Sequence, residues 1–112
     1  MDKLSIQTEM KGLVAVVTVS GRVDSETAPT LDAELTKAVG GSSKLVLELK
    51  GVEYMSSAGI RAVVKAAQAV EQKGGAVKMA SAPELVTSIF YTVGIVDKIK
   101  SYATVDEAVA SF

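Results

Sequence analysis

Leu4 to Thr8, where apolar and polar residues alternate, and Leu13 to Val19 read as two strands. The short Lys11-Gly12 link between them reads as a hairpin. Gly21 is expected to end the second strand. The pattern then changes period. Ala28, Leu31, Leu35, Ala38 and Val39 recur along one face of a helix. Thr27 is its expected N-cap, Pro29 falls in the first turn, where a missing N–H is harmless, and Gly40-Gly41 stops it. Alternation returns from Lys44 to Lys50, with Leu45, Leu47 and Leu49 on one side and Glu48 on the other. Ile60, Val63, Val64, Ala67 and Val70 follow at helical spacing, opposite Arg61, Lys65, Gln68 and Gln72. Gly74-Gly75 ends that segment.

Ala76 to Ala80 reads as a short strand with Val77 and Met79 on one side and Lys78 on the other. Ser81-Ala82-Pro83-Glu84 opens a helix expected to bury Leu85, Val86, Ile89, Phe90 and Val93 and to stop at Gly94. A brief strand is expected around Lys98 to Ser101. Thr104-Val105-Asp106-Glu107 has the form of a capping box and opens a last short helix.

The predicted order is β-β-α-β-α-β-α-β-α. Alternating strands and helices imply right-handed crossovers and a mostly parallel α/β sheet of about five strands, the first antiparallel, with about four helices. Central strands buried on both faces read as continuous apolar runs. Here Glu48 and Lys78 put a charge on one side of two such strands. The helices are therefore expected mainly on one face, each strand beside the last, with the other face partly open. The 112 residues form one domain, 1–112, with no repeat and no linker.

Composition removes several chemistries. There is no Cys, hence no disulfide and no thiolate ligand, in keeping with a cytoplasmic setting. There is no His, which removes the commonest general base and metal ligand. A net charge of −1 without a Lys/Arg cluster gives no nucleic-acid footprint. No apolar run is long enough to span a membrane, and the N-terminus lacks the pattern of a signal peptide. Met55-Ser56-Ser57-Ala58-Gly59 is not a Gly-x-Ser-x-Gly elbow, and nothing positions a Lys beside either serine. No Gly-x-x-x-x-Gly-Lys-Ser/Thr loop is present, and the Gly pairs end helices rather than follow strands. The sequence thus points away from an enzyme and from a cofactor.

What remains is a pair of hydroxyls at a strand-to-helix junction. A helix start offers unpaired N–H groups and a partial positive charge. Taken alone, Ser56-Ser57 is a simple cap. Asp24 reads equally as a turn residue bonding its own backbone or as a surface contact, and Arg61 as a solvated charge or a partner's counter-ion.

Two segments resemble the STAS domain, specifically the stand-alone anti-sigma factor antagonists of bacteria. Gly21-Arg22-Val23-Asp24-Ser25-Glu26-Thr27-Ala28 is similar to the family's entry to its first helix. Leu47 through Ile60 is similar to its strand, serine junction and second helix. Gly74-Gly75 and Val93-Gly94-Ile95 add to the likeness, which runs over nearly the whole length. The resemblance implies a partner-switching protein, a monomer or weak homodimer. Its unphosphorylated form would bind an anti-sigma factor that is also a serine kinase of the histidine-kinase ATPase fold, releasing sigma factor. Phosphorylation would end binding and a serine phosphatase would restore it. By motif the modified serine is Ser57, with Ser56 as the alternative. Ser56 stands where the family has an acidic residue, so the field at Ser57 is less negative. The implied interface joins Asp24, Ser25 and Thr27 to Met55, Ser56, Ser57, Ala58, Gly59, Ile60 and Arg61, with Met55 as an adaptable apolar contact. The same scaffold also serves as a subunit of stress-signalling complexes or of lipid-transport systems, which is the other reading of the resemblance.

Overall fold

The computed structural model describes residues 4–92 and 99–112. The expected helix stop at Gly94, the Val93-Gly94-Ile95 match, the strand start at Lys98 and the N-terminal three residues lie outside that range. The elements are β1 (Leu4–Lys11), β2 (Val14–Val23), α1 (Ala28–Gly41), β3 (Lys44–Met55), α2 (Ser57–Gln72), β4 (Ala76–Ala80), α3 (Glu84–Thr92), β5 (Ser101–Tyr102) and α4 (Val105–Ala110). The order is the expected one. The five strands form one sheet in the order β1-β2-β3-β4-β5, parallel except for the β1–β2 hairpin.

The main core lies on one face. Ala15, Val17 and Val19 of β2, Leu45, Leu47 and Leu49 of β3, and Val77 and Met79 of β4 meet the apolar stripes of α1, α2 and α3 there. The five residues read as the stripe of the first helix are the buried residues of α1. On the far face Val14, Val16, Val46 and Ala80 are covered by Ala108, with Tyr102, Val105 and Val109 beside it. So of the described helices α4 alone crosses to that side, and they lie mainly on one face, as Glu48 and Lys78 implied. Lys78 is not left to solvent. Its Nζ donates to Ser111 O at 2.9 Å and lies near Ser111 Oγ at 2.8 Å, over the Phe112 ring.

Several expected boundaries need correction: β1 runs on to Lys11, the hairpin turn is Gly12-Leu13, and α1 includes Gly40 and Gly41. Gly21 does not end its strand, because β2 runs on to Val23 with Gly21 at φ 100° inside it. Only glycine adopts that backbone easily, and it serves here as a strand irregularity rather than a stop. The third strand continues past Lys50 to Met55, through two register shifts against β2. Leu85, expected in the core, is 52% exposed, while Val86 and Phe90 carry the buried side of α3. The last strand is short and begins at Ser101.

Candidate functional site

The register shifts decide where the serine pair sits. Thr18 pairs with Glu48 but Ser20 with Gly51, and Gly21 pairs with Val52 but Arg22 with Tyr54. β3 therefore carries two extra residues. Each one resets the phase, so Leu49, Val52 and Met55 all face the core at intervals of three. β2 and β3 together extend beyond β4, whose pairing with β3 ends at Glu48–Ala80. The last rung is Val23 beside Met55, and the Ser56 N–H donates to Val23 O at 2.7 Å. The β2–α1 connection and the start of α2 thus leave the same edge of the sheet as neighbours.

The two serines have different jobs. Ser56 is the N-cap of α2, extended at φ −81° and ψ 172°, and its Oγ accepts a long hydrogen bond from the Gly59 N–H at 3.4 Å. Ser57 is the first residue of the helix and is exposed. Among the described residues no hydrogen bond engages its hydroxyl, which stands at the positive end of the helix dipole. Gly59 is buried, and a side chain there would meet Val23 Cγ1 at 2.5 Å.

The β2–α1 connection is hydrogen-bonded within itself. The Asp24 carboxylate accepts the N–H groups of Glu26 and Thr27, each at 3.0 Å. The Thr27 hydroxyl accepts the Asp24 N–H at 2.9 Å and donates to Arg22 O at 2.8 Å. Asp24 is therefore a turn residue, one of the two roles open to it. Thr27 does occupy the N-cap position, but its hydroxyl makes no cap bond to the helix and instead ties the turn together. Ser25 is exposed at the tip.

Of the residues expected at an interface, Ser25, Ser57 and Arg61 are exposed, and Asp24, Thr27, Ser56 and Ala58 are half-buried. Met55, Gly59 and Ile60 are buried, Met55 at 2% and Ile60 at 6% exposure. Met55 thus supports the junction from beneath and does not present an apolar contact. The structure also brings residues from outside the expected interface to this edge. A cleft of about 290 Å³ between α1 and α2 is lined by Ser25, Ala28, Pro29, Ala58, Arg61 and Ala62, and closed further along by Asp32 and Lys65. Lys65 Nζ pairs with Asp32 at 3.2 Å across it. Arg22 lies over the Tyr54 ring at 4.9 Å, at the other side of the junction. Complementary charge on the two helices was the only sequence signal for the first pair. The second depends on the shifted β3 register.

These features define an α/β domain wound in one direction, with a serine-bearing helix start at its carboxyl edge. The chain belongs to the STAS domain family, whose pattern matches residues 5–108. It is 30% identical over 83 residues to the anti-sigma-B factor antagonist of Bacillus subtilis, covering 74% of this chain and 76% of that one. It is also 30% identical over 98 residues to BtrV of Bordetella bronchiseptica, covering 87% and 84%. A solved anti-sigma factor antagonist from Mycobacterium paratuberculosis superposes with a TM-score of 0.87 at 24% identity, over 96% of this chain and 92% of that one. The family is regulatory rather than catalytic. Among the described residues there is no group of acidic side chains that would hold a metal, and no helix is long and apolar enough to cross a membrane.

Proposed function

We propose that this protein is an anti-sigma factor antagonist switched by phosphorylation of Ser57. The unmodified form binds an anti-sigma factor that is also a serine kinase of the histidine-kinase ATPase fold. That kinase transfers the γ-phosphoryl group of ATP to Ser57 Oγ, with ADP and the hydroxyl proton leaving, and the complex separates. A serine phosphatase hydrolyses the ester and resets the domain. The antagonist names of the curated relatives support the class of partner.

The observation that carries the choice of residue is the division of labour at the junction. The Ser57 hydroxyl is exposed and uncommitted, whereas Ser56 is half-buried and occupied as the cap. A phosphate on Ser57 adds roughly −1.5 to −2 charges at a helix start that tolerates them. The fold is expected to persist, and the cost falls on the docked protein through repulsion and bulk.

The test is incubation with the anti-sigma factor recovered by pull-down, plus ATP, followed by mass spectrometry of the Tyr54–Arg61 peptide. Phosphate is expected on Ser57 and absent in Ser57→Ala, which still binds. Ser57→Asp is expected to weaken binding about tenfold or more, roughly 1.4 kcal/mol. Phosphate found on Ser56 in the parent, or unchanged affinity of Ser57→Asp, would overturn the assignment.

A further inference from the structure

The exposed side of α2 carries a spacing that the switch described above leaves unused. Ser57 and Arg61 are four residues apart and both exposed. Side chains at that separation on a helix are neighbours, with Cβ atoms roughly 5–6 Å apart, and an acidic group N-terminal to a basic one is the favoured order. In the unmodified chain Ser57 brings no charge. Arg61 has no hydrogen-bond or ion-pair partner among the described residues, whereas Lys65, one turn further on, is already held by Asp32. Arg61 also stands at the rim of the α1–α2 cleft, beside Ser25 and Ala58.

We propose that Arg61 is the intramolecular counter-ion of phosphorylated Ser57. This rests on Ser57 being the modified residue. Arg61 has the reach and the planar fork that match two phosphate oxygens. Among the described residues, the other charges around the junction do not compete for the role. Arg22 is stacked on Tyr54. Asp24 and Glu26, in the neighbouring connection, are carboxylates and repel a phosphate. Modification would then do two things at once. It would place an anion where a docking protein sits, and it would neutralise the cation at the rim of the adjoining cleft. Arg61 would be free for a partner's acidic group in one state and engaged within the domain in the other.

The experiment installs phosphoserine at position 57 genetically, so that no kinase is needed. The second ionisation of the phosphate is followed by phosphorus NMR at low salt in the parent, Arg61→Gln, Arg61→Lys and Lys65→Gln. A nearby guanidinium favours the dianion, so the parent is expected to ionise at lower pH than Arg61→Gln, by about 0.3 unit. Arg61→Lys is expected to restore part of the difference, Lys65→Gln to leave the parent value in place, and added salt to shrink the gap. Coincident titration of the parent and Arg61→Gln would overturn the proposal. So would an equal displacement by Lys65→Gln, which would mean a general field rather than a pair. Because the phosphate is installed, a kinase that ignores Ser57 would sink the switch and leave this measurement standing.

Discussion

Gly59 shows how little room the serine junction has. A Cβ at this position would lie 2.5 Å from Val23 Cγ1 and 2.9 Å from Met55 Cγ. Both neighbours are buried, Val23 completely and Met55 at 2% exposure, so neither can move aside cheaply. Gly59→Ala is expected to cost about 1–3 kcal/mol of stability, read as a lower urea midpoint at unchanged slope. An unaltered midpoint would show that β2 and α2 have slack between them. The residues just before it separate the same way. Ser56→Ala removes the cap and is expected to cost roughly 0.5–1 kcal/mol, at the low end for caps because the bond is long. Ser57→Ala removes an exposed hydroxyl and is expected to stay within about 0.5 kcal/mol of the parent. If the two serine variants lost equal stability, the division between a structural and an available hydroxyl would fail. Ser56, Ser57 and Gly59 of one motif thus hold three roles: a cap, an open hydroxyl and a close contact.

At the scale of elements, the Thr27 hydroxyl spans the β2–α1 connection alongside the Asp24 carboxylate. Thr27 accepts the Asp24 N–H and donates to Arg22 O. Thr27→Val keeps the shape and removes the hydroxyl's bonds to the Asp24 N–H, Arg22 O and Asp24 Oδ1, leaving the Asp24 N–H and the Arg22 carbonyl without that partner in a half-buried turn. The expected cost is about 1–2 kcal/mol, together with faster amide exchange at Asp24. Protection at Asp24 equal to the parent's would rule this role out. The amphipathic elements were legible in the sequence because one side of each is buried and the other is not. α1 and the start and length of β4 follow directly from that contrast. The second half of β3 was not legible for a physical reason. Its two extra residues convert alternation into an interval of three, a pattern that belongs to no regular strand, so the strand was expected to end at Lys50. The same irregularity hid the Arg22–Tyr54 stack. It also made Met55 look like a surface contact, because a residue beside an exposed motif can still point inward. Gly21 misled in the opposite direction, since a glycine at positive φ within a strand has the same one-letter signature as a stop.

At the scale of the whole molecule, the sheet separates two surfaces. The junction, the β2–α1 connection and the α1–α2 cleft belong to one edge and one face. The far face is polar except where α4 covers Val14, Val16, Val46 and Ala80. Ala108 is fully buried under α4, which is only six residues long and too short to persist without packing. Ala108→Asp would place a carboxylate against the apolar side chains of Val14, Val16, Val46 and Ala80, on the face where Lys78 is already engaged by Ser111. The charge must then either reach water by lifting α4 or remain desolvated, and lifting the short helix is the cheaper route. Lys78 would lose its Ser111 and Phe112 contacts in the same step, since both residues follow directly from α4. The expected outcome is a stability loss of several kcal/mol, about the range of buried-charge substitutions, with amide shifts concentrated in β4, β5 and the first half of β3. The amides of Asp24 to Thr27 and Ser56 to Arg61 are expected to keep their positions, because β2–β3 pairing and the α1–α2 contact hold them without help from the far side. If instead the junction amides moved as far as those under α4, the two faces would be mechanically coupled. The last helix would then be part of the switch rather than a cover for the sheet.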